Sequence, residues 1–389
     1  MVRSRGSHGD SAAPTSKEDP GFLRPRSVDR LTRPCRRQNE VVDSGYTLRG
    51  AESVRMKRAL ITGPAISEGR VAELRNLGFD VINGTSSALA ALSVPQSEHS
   101  RDLSETEMIS LLNETEIYIY GGLEVASGRV LEHSKNLKLI AFLGTGWSDE
   151  GCVDAAAAKS LRISVANTPG ANAPSVAEVT MGILLALQRQ IVELSNKSKR
   201  GTGRPVRLKD IAGKTLGIVG LGQIGSRVAR HAVMGFGMKV IYTGPHEKPQ
   251  LENELGLRRA PLAKVLAESD FVTLHCPARS TVGLIGAKEL ALMKPSAFLL
   301  NLSSPEIVDG HALVDALESG RLAGAGFDGW YKEPASLHRR FLAIDDAKLI
   351  VLPRTAWLTD DSYDRMTNIA FANIHAKLNG MPLPNQVNP

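Results

Sequence analysis

The sequence predicts an α/β protein built on a doubly wound parallel sheet, and three observations support that fold class. An apolar run at 216–219 leads directly into Gly220, Gly222 and Gly225, and then into an amphipathic segment. From Met56 onward, short apolar runs alternate with longer amphipathic stretches, the pattern of repeated βα units. With 389 residues, the chain is long enough for two domains with separate cores.

The composition is that of an ordinary soluble globular protein, with 42% hydrophobic and 23% charged residues. No apolar stretch approaches the roughly 20 residues that a membrane-spanning helix needs. The three cysteines, Cys35, Cys152 and Cys276, are far apart and in no metal-ligand spacing. We therefore expect no metal site, no membrane contact and a reducing, cytoplasmic compartment.

The net charge of +6 could indicate a nucleic-acid partner, but most of it lies in one segment. Residues 1–55 carry 11 Arg or Lys and 7 Asp or Glu, a balance of +4, which leaves +2 for residues 56–389. We therefore expect no nucleic-acid partner for the folded body. Residues 1–55 are rich in Arg, Ser, Pro and Gly without periodicity, which predicts disorder. We interpret them as a non-functional extension; an RNA-binding or targeting tail is the alternative.

Five apolar runs with amphipathic stretches between them predict a first α/β unit. The predicted strands are 59–62, 80–82, 116–120, 137–142 and 163–166, and the predicted helices are 68–77 and 105–112. A long helix at 175–195 then leads into a second unit. Its predicted N-cap is Ser175, with Glu178 three residues later as in a capping box.

The second unit contains the glycine triplet and six predicted strands. These strands are 216–219, 240–242, 270–275, 297–301, 323–327 and 349–352, with helices at 262–267, 287–293 and 311–318 between them. Such a succession fits a doubly wound sheet, whose ligand lies at the carboxyl ends of the strands. A helix at 362–378 follows the last strand, and we expect it to return to the first unit.

Each glycine of the GxGxxG spacing meets a separate physical need. Gly220 permits the tight turn, Gly222 lets the backbone approach a pyrophosphate, and Gly225 lets the helix pack closely on its strand. The start of that helix offers unpaired N–H groups and the positive end of a dipole to the phosphates. The spacing alone is weak evidence for a ligand site, because many glycine-rich turns bind nothing. Together with the strand before it and the helix after it, however, the spacing predicts a dinucleotide site.

Several stretches in the same order match one known family. They read GTG at 144–146, NTPGANAPSVAE at 167–178, GKTLGIVGLGQIG at 213–225, HCPARSTVGLIG at 275–286, LMKPSAFLLNL at 292–302, GRLAGAGFD at 320–328, EP at 333–334 and LPRTAWLT at 352–359. From about Met56 onward the chain resembles the D-isomer-specific 2-hydroxyacid dehydrogenases, which include phosphoglycerate dehydrogenases and glyoxylate/hydroxypyruvate reductases.

The resemblance implies a Rossmann cofactor domain, residues 165–351, inserted into a flavodoxin-like substrate domain, residues 56–164 plus 352–389. It implies NAD or NADP as cofactor, a homodimer, and hydride transfer between the nicotinamide and C2 of a small anionic 2-oxo or 2-hydroxy acid. The positions that match cofactor-binding residues of the family, including a structural acid of the last strands, are Gly220, Gly222, Gln223, Ile224, Gly225, Thr243, His275, Pro277 and Asp328.

The family's chemistry uses an Arg that binds the substrate carboxylate, a His that exchanges a proton with the substrate oxygen, and a Glu that holds the His. Glu333 matches the Glu, but Ser304 stands where the Arg is expected and Arg354 stands where the His is expected. An Arg stays protonated and cannot exchange a proton usefully. Arg354 therefore forms a static ion pair with Glu333, binds an anion in place of the missing Arg, or braces the cleft.

The substrate side also departs from the family pattern. The family's GxGxD becomes Gly144 to Ser148, and the loop that would offer N–H groups to a substrate carboxylate contains Gly121 and Gly122. Two adjacent glycines leave the backbone donors accessible, although a plain turn after the strand explains them nearly as well.

The predicted cofactor preference depends on the end of the strand at 240–242. NAD-binding members place an acidic residue there, whereas this chain has Gly244, followed by Pro245, His246 and Lys248. Without a carboxylate to repel a 2′-phosphate, NADP(H) becomes admissible, and we favour it over NAD(H).

Two functions of different classes remain. The first is an oxidoreductase with a remodelled site, acting on a 2-oxo or 2-hydroxy acid or a phosphonate-like analogue. The second is a dinucleotide-binding protein that has lost catalysis and acts as a sensor or partner subunit. The intact glycine spacing supports both, and the missing Arg and His favour the second. The retained Glu333 opposes neither, and because the family resemblance implies an enzyme, we favour the oxidoreductase.

Deletion of residues 1–55 is expected to leave the melting temperature and the cofactor affinity unchanged, because the segment lacks a core-forming pattern. Thermal denaturation and a cofactor titration of the truncated protein measure both. A melting temperature lowered by several degrees would show that the segment docks on the folded body.

Overall fold

The computed structural model describes residues 57–83, 103–122, 124–146, 152–331 and 334–388. The segment predicted to be disordered, residues 1–55, lies outside these ranges, as do Trp147, Ser148 and Glu333.

The described chain forms two parallel β-sheets. The first contains β1 (Lys57–Ile61), β2 (Phe79–Asn83), β3 (Thr115–Tyr120), β4 (Leu139–Phe142) and β5 (Ser164–Ala166). The second contains β6 (Thr215–Val219), β7 (Lys239–Thr243), β8 (Arg258–Arg259), β9 (Phe271–Leu274), β10 (Phe298–Asn301), β11 (Gly324–Asp328) and β12 (Leu349–Leu352).

Helices connect the strands within each sheet and cross between the sheets. Those of the first half are α1 (Glu68–Asn76), α2 (Glu105–Asn113), α3 (Gly128–Glu132), α4 (Ala155–Ser160), α5 (Ala173–Gln188) and α6 (Ile191–Lys199). Those of the second half are α7 (Gln223–Arg230), α8 (Pro249–Leu255), α9 (Leu262–Glu268), α10 (Ala287–Leu292), α11 (Gly310–Glu318), α12 (Ala335–Leu342) and α13 (Asp360–Leu378).

The first sheet has the strand order β2-β1-β3-β4-β5, with every pairing parallel. Because successive strand residues point to opposite faces, Ile117 and Ile119 join one core and Tyr118 and Tyr120 the other. α13 buries Phe371 in the core that contains Ile117. The C-terminal helix therefore returns to the first sheet, as the sequence predicts.

The second sheet has the order β12-β11-β10-β9-β6-β7-β8, again parallel throughout. The order reverses between β6 and β9, which is where doubly wound sheets bind ligands, at the carboxyl ends of the strands. α5 covers one face so closely that a Cβ on Gly326 would lie 2.3 Å from Ile183 Cγ2. The predicted α/β class and the doubly wound sheet are confirmed.

The long helix predicted at 175–195 is wrong in its extent and its cap. The structure has α5 and α6 instead, because Gln190 adopts a left-handed φ of 48° and ends the first helix. The N-cap is Asn172, and Pro174 occupies the first turn, where its missing N–H costs no hydrogen bond. Ser175 lies inside the helix, and its hydroxyl is 2.9 Å from the Thr359 hydroxyl.

The second sheet has seven strands where six are predicted. The additional strand, β8, consists only of Arg258 and Arg259, both exposed, so no apolar run marks it in the sequence. The two predicted domain boundaries fall inside strands, since β5 continues to Ala166 and β12 pairs within the second sheet up to Leu352. The division into two domains stays a prediction.

No single helix among the described residues has the length and apolar character needed to span a membrane. α5 and α6 are long and apolar enough only when the two helices are counted together, and a 60° bend separates them.

Candidate functional site

The turn after β6 is shaped by Gly220 and Gly225. Gly220 has a φ of +97°, and a Cβ there would lie 2.6 Å from the carbonyl oxygen of His275. A Cβ on Gly225 would lie 2.2 Å from the carbonyl oxygen of Gly220. A side chain at Gly220 would therefore push the turn away from the loop after β9, and a side chain at Gly225 would push α7 away from the turn.

Gly222 differs from the other two, because a Cβ there would meet no atom within 4 Å. It is the N-cap of α7, and no side chain caps that helix. The first N–H groups of a helix have no partner within the helix, so they remain available to an anion. An open space beside uncapped N–H groups fits the pyrophosphate of a dinucleotide.

Gln223 and Ile224 begin α7, as the sequence predicts, and lie beside this space. Gln223 also borders the loop before α5, since a Cβ on Gly170 would lie 3.5 Å from the Gln223 side chain. Ile224 packs against the core between α5 and the second sheet. Direct contact of either residue with a cofactor stays a prediction.

The loop after β9 contains His275 and Pro277 and lies against the glycine turn. The backbone N–H of His275 donates to the Val219 carbonyl at 2.8 Å, while its Nε2 lies 3.0 Å from the Thr273 hydroxyl. Its Nδ1 is buried without a hydrogen-bond partner, and burial lowers the pKa of the ring to about 3. His275 is therefore neutral at physiological pH and is not a ready proton donor.

The loop after β7 meets the same turn from the other side. The carbonyl of Thr243 accepts from the Gly220 N–H at 2.9 Å, and a Cβ on Gly244 would lie 3.9 Å from the Leu221 nitrogen. Arg259, which the sequence analysis did not single out, donates from Nη2 to the Gly244 carbonyl at 2.9 Å. An arginine thus lies beside the position where NAD-binding relatives of this type carry an acid.

Ser304 lies at the end of β10, in a turn organised by Asn301. The Asn301 side chain accepts from the Ser303 N–H at 3.1 Å and donates to the Ser304 carbonyl at 2.8 Å. The hydroxyl of Ser304 donates to the carboxylate of Glu306. The position expected to hold a cationic group for the substrate carboxylate therefore presents a hydroxyl bound to an acid.

Asp328, at the end of β11, holds the loop that contains Arg354. Its two carboxylate oxygens accept from the backbone N–H groups of Thr355 and Ala356, each at 2.9 Å. Burial raises the pKa of Asp328 despite these two bonds. Because its oxygens bind the backbone, Asp328 has a structural role here, and its predicted contact with the cofactor stays a prediction.

Arg354 is a partly buried residue with a left-handed φ of 57°. A Cβ on Gly329 would lie 2.8 Å from Arg354 Cγ and 3.9 Å from Pro305 Cγ, so the stem of Arg354 and the residue after Ser304 both border Gly329. Burial lowers the pKa of Arg354. The structure thus places Arg354 and the turn of Ser304 around the same glycine, whereas the predicted partner Glu333 lies outside the described residues.

Gly121 and Gly122 follow β3 in the first sheet, above a buried carboxylate that the sequence analysis missed. Glu124 is fully buried, and its Oε1 accepts from the Tyr118 hydroxyl at 2.8 Å. Its Oε2 has no hydrogen-bond partner and points to Gly122, where a Cβ would lie 2.0 Å away. Gly122 is thus required by close packing, and whether the loop binds a substrate stays a prediction.

Hydrogen bonds join the two sheets where the chain crosses between them. Arg365 on α13 donates to the Ala171 carbonyl at 2.8 Å and to the Ser175 hydroxyl at 3.1 Å. Ser175 also contacts Thr359, which caps α13. The loop that contains Arg354 therefore ends at a fixed junction between the start of α5 and the start of α13.

The glycine turn, its uncapped helix and the order of the strands together match one family. The model of the D-isomer specific 2-hydroxyacid dehydrogenase NAD-binding domain matches residues 181–356. A glyoxylate reductase of Thermococcus litoralis is 36% identical over 269 residues, which cover 67% of this chain and 79% of that protein. The chain belongs to the D-isomer-specific 2-hydroxyacid dehydrogenase family.

Two further comparisons extend this membership. A hydroxypyruvate reductase of Thermotoga maritima is 36% identical over 252 residues, covering 64% of this chain and 80% of that protein. An acyclic imino acid reductase solved with NADPH and D-Arg has a TM-score of 0.70 at 25% identity, covering 85% of this chain and all of that one. This family member is an oxidoreductase that uses NAD or NADP.

Replacement of Gly222 by Val is expected to abolish binding of both NADPH and NADH with little loss of stability. The new side chain meets no atom of the protein within 4 Å of its Cβ, so it fills only the space proposed for the pyrophosphate. Isothermal titration calorimetry and thermal denaturation measure the two effects. Gly220→Val is the matched comparison, because it clashes with the His275 carbonyl and should lower the stability as well. Unchanged cofactor affinity in Gly222→Val would place the pyrophosphate elsewhere.

Proposed function

We propose that this family member reduces a small 2-oxo acid, or a phosphonate-like analogue, to the 2-hydroxy compound as a cytoplasmic homodimer that prefers NADP(H). When bound, NADPH supplies the hydride for C2 of the substrate. The relatives are named glyoxylate reductase and hydroxypyruvate reductase, which makes those two acids the first substrates to test. The imino acid reductase solved with NADPH supports the cofactor preference.

The position of Arg354 is the observation that carries the substrate proposal. Asp328 fixes its loop, and its side chain runs close to Pro305, beside the position that lacks the family's Arg. A guanidinium binds a carboxylate or phosphonate with two parallel hydrogen bonds. We assign to Arg354 the binding of the substrate's acid group, which Ser304 cannot provide.

The proton for the substrate oxygen then has a different source from that in the family pattern. Arg354 can stabilise the negative charge that develops on the oxygen, but it does not release a proton usefully near neutral pH. Neutral, buried His275 does not supply one either. In this proposal water in the cleft donates the proton, so the reaction is slower than in members with the complete set of side chains.

A second candidate function is that of a cofactor-binding protein without turnover. Two observations favour it: Glu306 binds the Ser304 hydroxyl, and Arg354 occupies the position of the catalytic His. Such a protein would report the state of the cofactor or act as a partner subunit. A measurement of NADPH oxidation with candidate 2-oxo acids separates the two functions, since only the enzyme oxidises NADPH in response to a substrate.

The enzyme proposal predicts oxidation of NADPH by the unmodified protein with at least one of glyoxylate, hydroxypyruvate and pyruvate. Arg354→Ala is then expected to lower kcat/KM by about 10- to 100-fold, the range for loss of hydrogen bonds to a charged group. Absorbance at the NADPH band measures both. Arg339→Ala, an exposed arginine of α12, is the control and should change little. Tight cofactor binding without turnover on any acid would favour the second function.

Restoring the family's side chains is expected to raise turnover further. Ser304→Arg with Arg354→His supplies an acid-binding group and a titratable proton donor, and general acid catalysis is worth about 10²–10⁴-fold. Glu306→Gln belongs in the same variant, because an arginine at position 304 would otherwise pair with Glu306. Steady-state kinetics of the triple variant and of each single change give the comparison.

Each single change should do less than the triple variant, because the two groups act together on one substrate. A triple variant that folds and binds cofactor but gains no turnover on the three acids would show that these positions do not form the reacting centre.

A further inference from the structure

The end of β7 lacks the side chain expected for recognition of a 2′-phosphate. Gly244 removes the acid that would repel a phosphate, yet the next residue, Pro245, has no cationic group to bind one. A preference for NADP(H) therefore needs a cation from another part of the chain.

We propose that Arg259, on β8, recognises the 2′-phosphate of NADP(H). The inference rests on the proposed preference for NADP(H) and names the residue responsible for it. β8 pairs in parallel with β7, with Arg259 opposite Tyr242, so both strands end at the same edge of the sheet. The residues after Tyr242 form the loop that lies against the glycine turn.

The contacts of Arg259 hold its guanidinium at this loop. Nη2 donates to the Gly244 carbonyl at 2.9 Å and to the Pro245 carbonyl at 3.4 Å, while Nη1 lies 3.3 Å from Glu247 Oε1. The guanidinium thus lies at the loop that follows β7, the part of a doubly wound fold that recognises the adenine ribose. Its planar set of donors suits the bidentate binding of a phosphate.

The acidic groups around the loop do not prevent this role. Glu247 is an exposed partner, with 68% of its side chain accessible, so its ion pair with Arg259 is weak and easily exchanged for a phosphate. Glu252 is engaged elsewhere, since its carboxylate accepts from the Tyr242 hydroxyl and from the Lys248 N–H. His246 and Lys248 add basic groups to the same loop.

Arg258 provides a matched control from the same two-residue strand. Its side chain points to the opposite face of the sheet and pairs with Glu268 on α9. The two arginines therefore share residue type, strand and exposure, and differ in the face of the sheet that they occupy.

Calorimetric titration with NADPH, NADH, 2′,5′-ADP and 5′-AMP tests the proposal without relying on activity. Arg259→Ala is expected to weaken the binding of NADPH and 2′,5′-ADP by about 10- to 100-fold, the range for charge-assisted hydrogen bonds. The dissociation constants of NADH and 5′-AMP should stay within about threefold of those of the unmodified protein. Arg259→Lys should retain part of the affinity, and Arg258→Ala all of it. Glu247→Gln should strengthen NADPH binding, because it removes the competing carboxylate.

Several results would overturn the inference. If Arg259→Ala weakened the binding of NADPH and of NADH equally, the arginine would only shape the loop. Weakening of NADH by more than tenfold in Glu247→Gln would make Glu247 the acceptor for the ribose hydroxyls. If the unmodified protein prefers NADPH and Arg259→Ala retains that preference, the inference alone fails. If the unmodified protein binds NADH more than tenfold tighter, the proposed cofactor preference fails first and the inference with it.

Discussion

The turn at Gly220 is the constraint on which the cofactor half of the structure depends. Its backbone contacts three other elements. The N–H donates to Thr243 at the end of β7, the Cα faces the His275 carbonyl after β9, and the carbonyl faces Gly225 on α7. A Cβ on Gly220 would clash with the His275 carbonyl, and a Cβ on Gly225 would clash with the Gly220 carbonyl. Gly220 also has a positive φ, which residues with a side chain rarely adopt. The central strand, its helix and the loops of both neighbouring strands are therefore fixed relative to one another by one turn.

A second organising group is the carboxylate of Asp328. Two backbone N–H groups, of Thr355 and Ala356, donate to it from the loop after β12. The same loop holds Arg354 in a left-handed conformation, which a non-glycine residue keeps only where the surrounding structure determines it. The loop then runs to the junction of Ser175, Thr359 and Arg365. The backbone around Arg354 is therefore anchored on one side by Asp328 and on the other by the junction at Ser175.

Polar and charged groups lie at three places on the side where the substrate is expected. The Ser304 hydroxyl binds Glu306 at the end of β10, Arg354 follows β12, and Glu124 lies buried beneath the Gly121–Gly122 loop. In the proposed site the cationic group for the substrate is therefore Arg354, after β12. A guanidinium can bind an anion, but it does not exchange protons usefully near neutral pH.

The sequence by itself determined the fold class, nearly all strands and the glycine turn, because apolar periodicity and a GxGxxG spacing are local signals. It also predicted that Ser304 and Arg354 depart from the family's catalytic pattern, and this stays a prediction. It did not locate the break at Gln190 or the two-residue strand β8, since neither has an apolar pattern. The contact of Arg259 with Gly244, the bond of Ser304 to Glu306 and the burial of Glu124 were decided by the tertiary structure. Such contacts depend on how separate strands and loops converge at the edges of the sheets. The residue pattern within one segment therefore does not predict them.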